Sequence, residues 1–268
     1  NNKLRLMKDY FRRTPDPERS WALATLTGTL SFQHAKPGMI RALISERTDL
    51  VLFELSYDYV GDLSETVALL WQSRDQSNAP AREKHDDLKL SAVVTALSSL
   101  GKSDLPAQLA RWLDQLDETG RWALLKLVTG GLRIGVSARL AKTAAAAIGD
   151  KDPHEIELLW PGLRPPYVEL FAWLEGRGEA PANRDPAPFR PAMLAHAMED
   201  GELDALDPSE FLGEWKWDGI RVQAVAGVDE HGQIVPRLYS RTGEDISGSF
   251  PDLIEALRLP AAVDGELL

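Results

Sequence analysis

Apolar residues recur every three to four positions along most of the first half of the chain, which is the spacing of an amphipathic helix. Leu105, Leu109, Trp112, Leu113 and Leu116 form one such stripe. Asp62 and Glu65 form a capping-box pattern ahead of another, and residues 73–89 are polar and predict a loop. No stretch in this half alternates between apolar and polar side chains. The pattern predicts an all-helical domain over residues 1–175.

The composition and the pattern of apolar residues change after residue 175. Residues 176–188 are rich in Gly, Pro, Ala and charge, which is typical of an interdomain linker. Short strand-like stretches follow and predict the start of an α/β or α+β region over residues 189–268. Its predicted elements are strands at 211–217, 221–226, 234–241 and 261–267, a hairpin turn at 229–232 and a helix at 251–259.

Composition limits the chemistry that this chain can carry. The 268 residues include no cysteine, which excludes disulfides and thiolate metal sites, and the five histidines lack metal-ligand spacing. No apolar run approaches 18 residues, so no membrane span is predicted. The net charge of −11 argues against nucleic-acid binding, but its distribution matters more than its total. Residues 121–142 carry no acidic side chain and predict a basic stripe of Arg121, Lys126, Arg133, Arg139 and Lys142.

A glycine-rich turn interrupts this basic stretch. A helix is predicted to end at Gly130-Gly131, and a new helix to begin at Ser137. Free backbone N–H groups, a helix N-terminus and Arg133 suit the binding of phosphates. A plain helix–turn–helix corner with glycine caps explains the same residues equally well. The candidate DNA-binding residues are Lys126, Gly130, Gly131, Arg133, Gly135 and Ser137.

The most specific stretch is residues 214–221, Glu-Trp-Lys-Trp-Asp-Gly-Ile-Arg. Read as a strand, it places Glu214, Lys216 and Asp218 on one face. A lysine between carboxylates and followed by Arg221 suits a nucleophilic amine and an anionic substrate. A surface strand with a ladder of ion pairs would show the same alternation. The ordered string Lys-x-Asp-Gly-x-Arg is more specific, since chance produces it in roughly one chain in a few hundred of this length.

The string Lys-x-Asp-Gly-x-Arg resembles the signature of covalent nucleotidyltransferases, which comprise ATP-dependent DNA ligases, RNA ligases and mRNA capping enzymes. Two later segments, 240–244 and 264–266, follow in the order and at the spacing of ATP-dependent DNA ligases. Residues 126–137 are similar to the DNA-binding-domain signature of these enzymes, and residues 189–195 to the segment leading into their adenylation domain. The resemblance covers nearly the whole chain and is closest to the bacterial enzymes.

The resemblance implies a multidomain α and α+β fold. An all-α DNA-binding domain (1–175) and a linker (176–188) would precede the first part (189–268) of a truncated nucleotidyltransferase domain of the ATP-grasp-like kind. The family's OB-fold domain, two downstream lysines and metal-binding glutamate do not occur before Leu268. We therefore expect this chain to bind DNA with little or no complete ligation.

The resemblance also implies roles for individual residues. Lys216 would attack the α-phosphorus of ATP and carry AMP, with Mg²⁺ or Mn²⁺ offsetting the phosphate charge. Glu214 would lie at the adenine, and Arg221 and Arg241 would contact the nucleotide or the nick phosphate. Glu266 would contact the ribose or a metal. The expected protein is a monomer that acts on nicked duplex DNA in the bacterial cytoplasm, at the nucleoid, with no membrane partner.

Two other readings fit part of the sequence. An RNA ligase or capping enzyme shares the lysine motif, but such enzymes generally lack a long helical N-terminal domain. A non-catalytic DNA-binding module with a vestigial nucleotidyltransferase segment is the second alternative, and the complete lysine motif argues against it. An NAD-dependent ligase is disfavoured because its small nicotinamide-binding domain and zinc-binding cysteines are missing.

Overall fold

The chain folds into two compact units, as described by a computed structural model for residues 2–72, 88–130, 132, 134–182, 185–192 and 197–268. The first unit comprises Asn1–Pro153 and Arg164–Ala180, and the second comprises His154–Leu163 and Pro181–Leu268. Most of the loop predicted at 73–89 lies outside the described residues. None of the described helices is long and apolar enough to cross a membrane.

Within its described residues, the first unit has only α-helices as regular elements. The helices of the chain up to residue 174 are α1 (Asn2–Arg13), α2 (Glu18–Leu26), α3 (Pro37–Ser45), α4 (Leu50–Val60), α5 (Leu63–Leu70), α6 (Leu90–Ser99), α7 (Leu105–Gln115), α8 (Glu118–Thr129), α9 (Ala138–Ala146), α10 (Pro153–Leu159) and α11 (Val168–Leu174). Helix α10 belongs to the second unit from its second residue onward.

Capping and an apolar core explain the helices of the first unit. Asp62 accepts a hydrogen bond of 2.9 Å from the backbone N–H of Glu65, so the predicted cap of α5 is confirmed. The predicted stripe on α7 is buried apart from its last member, because it faces a core formed mainly by α3–α8. A fully buried Leu or Ile side chain contributes about 1.5–3 kcal/mol. Those in this core are Ile40, Ile44, Leu97, Leu105, Leu109, Leu113 and Leu125.

A buried arginine joins the start of the first unit to its last segment. Arg19 is 4% exposed, and its guanidinium donates to Asp16 at 2.7 Å and to Glu175 at 2.5 Å. The same group lies 4.5 Å from the centre of the Phe171 ring. The Arg19 hydrogen bond lowers the pKa of Glu175 to about 2, with burial opposing it and Arg177 adding to it. A buried cation is tolerated here because carboxylates surround it.

The second unit contains a three-stranded antiparallel sheet in the order β2-β1-β3. Its strands are β1 (Ile220–Val228), β2 (Ile234–Ser240) and β3 (Ala261–Leu267), and its further helices are α12 (Glu202–Ala205) and α13 (Pro251–Ala256). Three predicted strands and the hairpin turn between β1 and β2 are thus confirmed. The predicted helix at 251–259 begins as expected and ends three residues early.

The strand predicted at 211–217 is wrong. Residues 211–218 are exposed and irregular, and regular pairing begins only at Ile220, opposite Leu267. Among the described residues no strand pairs with 211–218. Alternating side chains do not make a strand without a partner for the backbone N–H and C=O groups.

We predict that Glu175→Gln weakens the first unit by about 1–3 kcal/mol, because Arg19 loses a charged acceptor but keeps Asp16. The substitution should also make the free energy of unfolding of the first unit less dependent on pH in the acid range. The folded-state pKa of Glu175 lies below the ordinary 4.5, so its stabilisation is present above pH 4.5 and is lost as pH falls towards about 2. Urea unfolding at a series of pH values measures both effects.

The matched control for this variant is Asp9→Asn. It breaks the Arg5–Asp9 pair, whose side chains are 65% and 40% exposed, and should cost no more than about 0.5 kcal/mol. An equal loss in both variants, or an unchanged acid response in Glu175→Gln, would contradict the role assigned to Arg19.

Candidate functional site

The lysine motif lies on an exposed segment that leads into β1. Lys216 makes no hydrogen bond or ion pair with any residue that the structure describes, and its neighbours Trp215 and Trp217 are 85% and 58% exposed. Lys216 is also the only lysine between residues 152 and 268. The amine is therefore accessible to a substrate from solvent.

Gly219 fastens this segment to the end of β3. A Cβ atom added at Gly219 would lie 2.0 Å from the backbone oxygen of Leu267, so no larger residue fits without movement. The N–H of Gly219 donates to Oε1 of Glu266 at 3.1 Å. The glycine of the motif is thus explained by close backbone approach, and it brings the lysine segment next to a carboxylate 47 residues later.

Arg221 is the centre of a charged cluster on one face of the sheet. It pairs in register with Glu266, and its Nη2 atom lies 2.5 Å from Oδ2 of Asp264. The hydrogen bond with Asp264 is the main reason why the pKa of Arg221 is raised, and the charges of Glu266 and Glu214 add to it. The structure therefore brings together the predicted residues Glu214, Arg221 and Glu266.

Asp264 belongs to this cluster but was not among the predicted site residues. The signal was present in the sequence, because Asp264 and Glu266 alternate on one predicted strand and must share a face. What the sequence lacked was the register that sets Asp264 beside the guanidinium of Arg221.

Arg241 lies in the turn that follows β2. Val222 pairs with Ser240, so Arg241 stands at the same end of the sheet as Arg221. The Oγ atom of Ser240 accepts hydrogen bonds from the N–H groups of Thr242 at 3.4 Å and Glu244 at 3.2 Å, which shapes the turn. Arg241 is exposed and makes no hydrogen bond or ion pair with the part of the chain that the structure describes.

A lysine of α1 anchors the predicted phosphate-binding turn. Gly130 ends α8 in the left-handed conformation, with φ of 68°, as a helix C-cap does. The Nζ atom of Lys3 donates to the carbonyl oxygens of Gly135 at 2.9 Å and Ile134 at 3.3 Å. Ser137 caps α9 by accepting from the N–H of Leu140 at 3.1 Å. The predicted residues Gly131 and Arg133 lie outside the described residues.

Three members of the predicted basic stripe turn inward: Lys126, Arg121 and Lys142, of which Lys142 is 9% exposed. Lys126 is 9% exposed and its Nζ atom lies 2.5 Å from Oδ2 of Asp62. Burial raises the pKa of Asp62, but the hydrogen bonds from Lys126 and from the N–H of Glu65 outweigh it, so the pKa is lowered. Arg121 donates to the carbonyl oxygens of Leu113 at 2.7 Å and Trp71 at 3.3 Å.

The predicted basic stripe on one face is therefore wrong for Lys126 and Lys142, which are buried, although Arg139 is exposed. Helix α8 buries Leu124, Leu125, Leu127 and Val128, so the basic side chains beside them reach acceptors within the first unit.

The donor set around Arg221 fits a nucleotide. An accessible amine and two arginines suit phosphates, while the carboxylates of Glu214 and Glu266 can accept from amino or hydroxyl groups. Among the residues that the structure describes, no group of three or more His, Asp or Glu side chains is arranged to hold a metal ion.

Comparisons with known proteins agree with this chemistry. The family described as "ATP dependent DNA ligase domain" matches residues 192–268. DNA ligase 2 of Methanosarcina acetivorans is 26% identical over 78% of this chain and 38% of its own length. For the probable DNA ligase of Dictyoglomus thermophilum the identity is 27%, over 96% of this chain and 45% of that protein. The probable DNA ligase of an Anaeromyxobacter species is 30% identical over 80% of this chain and 42% of its own length.

The chain spans less than half the length of these relatives. The matched region holds Lys216 and the whole Arg221 cluster, and the similarity to the Dictyoglomus protein extends over nearly all of the helical unit as well. Residues 192–268 therefore match the ATP-dependent DNA ligase domain, and the chain is similar to DNA ligases over most of its length.

Proposed function

We propose that this chain supplies the DNA-binding and nucleotide-attachment parts of an ATP-dependent ligase that seals nicks in duplex DNA. One observation carries the proposal. The only lysine within residues 152–268 is accessible, lies within the matched ligase region, and leads directly into a cluster of arginine and carboxylates suited to a nucleotide.

Lys216 is the proposed nucleophile. Its neutral amine attacks the α-phosphorus of ATP, an N–P bond forms, the bond to the β-phosphate oxygen breaks, and pyrophosphate leaves. AMP then passes to the 5′-phosphate of the nick, and the 3′-hydroxyl displaces it.

The cluster residues hold the substrate in this proposal. Glu214 takes the adenine, and Arg221 and Arg241 contact the nucleotide or the nick phosphate. Glu266 takes the ribose hydroxyls or one position on Mg²⁺ or Mn²⁺. A divalent ion, when bound, neutralises phosphate charge, and such ions commonly use one or two carboxylates together with substrate phosphates.

The helical unit is the proposed DNA grip. A ligase must accept any sequence, so it needs phosphate contacts without base readout. Gly130, Gly131, Arg133, Gly135 and Ser137 would meet the backbone through N–H groups and the guanidinium. Lys126 is a further candidate, although its amine is paired with Asp62.

We assign residues 1–175 to DNA binding, 176–188 to a linker and 189–268 to adenylation, within an ATP-grasp-like nucleotidyltransferase domain. The protein would act as a monomer in the cytoplasm, at the nucleoid.

We predict that the complete protein containing this chain becomes labelled by α-³²P-ATP with Mg²⁺, through an acid-labile and alkali-stable bond. Lys216→Ala should abolish the label, because Lys216 is the proposed attachment point and the only lysine within residues 152–268. Lys102→Ala, which removes an exposed lysine of the helical unit, should label normally. Label that survives in Lys216→Ala, or no label with either ATP or NAD, would refute the proposal. Sealing assays on nicked DNA and nicked RNA separate a DNA ligase from an RNA ligase.

We predict that Arg133→Glu weakens binding to nicked DNA and lowers the salt slope of log K by about 1, because one phosphate contact is lost. Self-adenylylation should stay near the wild-type rate, since it needs no DNA. The control is Arg111→Glu, which reverses an exposed arginine on α7. Fluorescence anisotropy at several salt concentrations measures binding. A parallel loss of binding and self-adenylylation would count against a DNA contact by Arg133.

A further inference from the structure

A short segment that precedes the matched region 192–268 lies across one face of the sheet. Pro186 crosses β1 at Gly227, where an added Cβ would lie 1.6 Å from the Pro186 oxygen. The hydroxyl of Tyr239 donates to the carbonyl oxygen of Ala187 at 2.7 Å, and both residues are buried. We call residues 186–190 the strap. Because it runs from Gly227 towards the beginning of β1, it leads to the end of the sheet that carries Arg221.

Gln223 holds the end of the strap through both atoms of its amide. Its Oε1 accepts from the N–H of Arg190 at 2.7 Å, and its Nε2 donates to the carbonyl oxygen of Arg190 at 3.0 Å. Gln223 is 7% exposed, and a buried amide is costly unless it is satisfied. The backbone of Arg190 supplies both partners, so the position of Arg190 is set by a side chain two residues from Arg221.

The geometry of the strap also gives a direction for the Arg190 side chain. Pro191 follows Arg190, which favours an extended backbone at Arg190. In an extended segment, neighbouring side chains point to opposite sides. The Phe189 ring packs towards β2, at 5.6 Å from the Tyr239 ring. The side chain of Arg190 therefore leaves the strap on the side opposite to Phe189, and its backbone lies at Gln223, which pairs with Asp264 of β3.

Arg190 is exposed and makes no ion pair with any described residue, while Asp264 is already taken by Arg221. The cluster around Arg221 holds the carboxylates of Glu214, Asp264 and Glu266, so a further cation beside Lys216, Arg221 and Arg241 would favour an incoming phosphate. A guanidinium offers several donors in a planar fork that matches a phosphate.

We propose that Arg190 is a further phosphate-binding residue of the nucleotidyl-transfer site, and that Gln223 is its positioning residue. This inference rests on the proposed function. The phosphate belongs either to ATP or to the nicked DNA, and the two sources can be separated because they act in different steps of the reaction.

The test compares Arg190→Ala, Arg190→Lys and Gln223→Leu in the complete protein. One arm measures self-adenylylation against ATP concentration. The other measures sealing of a nick that already carries 5′-AMP, with Mg²⁺ and without ATP. Arg258→Ala is the control, because it removes an exposed arginine of the same unit that lies outside the Arg221 cluster.

If Arg190 binds a phosphate of ATP, Arg190→Ala should raise the KM for ATP about tenfold, as expected when a contact of about 1.4 kcal/mol is lost, and leave sealing unchanged. If it binds DNA phosphate, sealing should fall by a similar factor instead. Arg190→Lys should recover part of the loss in the same arm, because the charge remains. Gln223→Leu should reproduce the loss in that arm, although Arg190 is intact.

Wild-type rates in both arms of Arg190→Ala, or an equal loss in Arg258→Ala, would overturn the proposal. If Gln223→Leu lowers both self-adenylylation and sealing and also has a lower Tm, the positioning role of Gln223 would be overturned. Absence of label in the wild-type protein would instead refute the proposed function itself.

Discussion

The antiparallel pairing of β1 with β3 is the constraint on which the candidate site depends. Ile220 lies opposite Leu267 and Arg221 opposite Glu266, so one register sets every later contact. It brings Asp264 onto the Arg221 guanidinium and lets the Glu266 carboxylate reach the N–H of Gly219. A slip of one residue would turn both carboxylates to the other face of the sheet. Gly219 makes that register sterically feasible, since its missing Cβ leaves room for the Leu267 carbonyl.

Charged residues serve two purposes in this protein, and burial separates them. Arg19 and Lys126 are buried and neutralised by carboxylates of their own unit, which stabilises the helical packing. Lys216, Arg190 and Arg241 are exposed and without ion pairs to other described residues. Only the second group is available to an anionic substrate. A net negative chain can therefore still bind phosphates locally, because the accessible charges count and the buried ones do not.

The strap and the lysine segment approach the same end of the sheet from different directions. Neither is a strand or a helix, and each is held by a specific contact with β1 or β3. Such irregular segments suit a site that must admit a nucleotide, since their exposed side chains Arg190 and Lys216 are not part of the core beneath them. The regular sheet beneath them provides the rigidity that positions the arginines.

The sequence by itself determined much of the local structure. Periodicity and capping residues predicted most helices, because amphipathic stripes and the Asp62 cap are encoded within a few residues. Composition and alternation predicted three strands and their hairpin, and the ordered motif identified Lys216 as the candidate nucleophile.

Only the tertiary structure decided which residues meet. Residues 211–217 alternate like a strand but lack a backbone partner among the described residues. The sequence places Lys126 in a basic stripe, whereas the structure pairs its amine with Asp62 inside the first unit. The sheet register places Asp264 beside Arg221. Gln223 contacts the strap, which lies more than thirty residues earlier in the chain. Pairing, burial and close approach depend on residues distant in the chain, so no local pattern contains them.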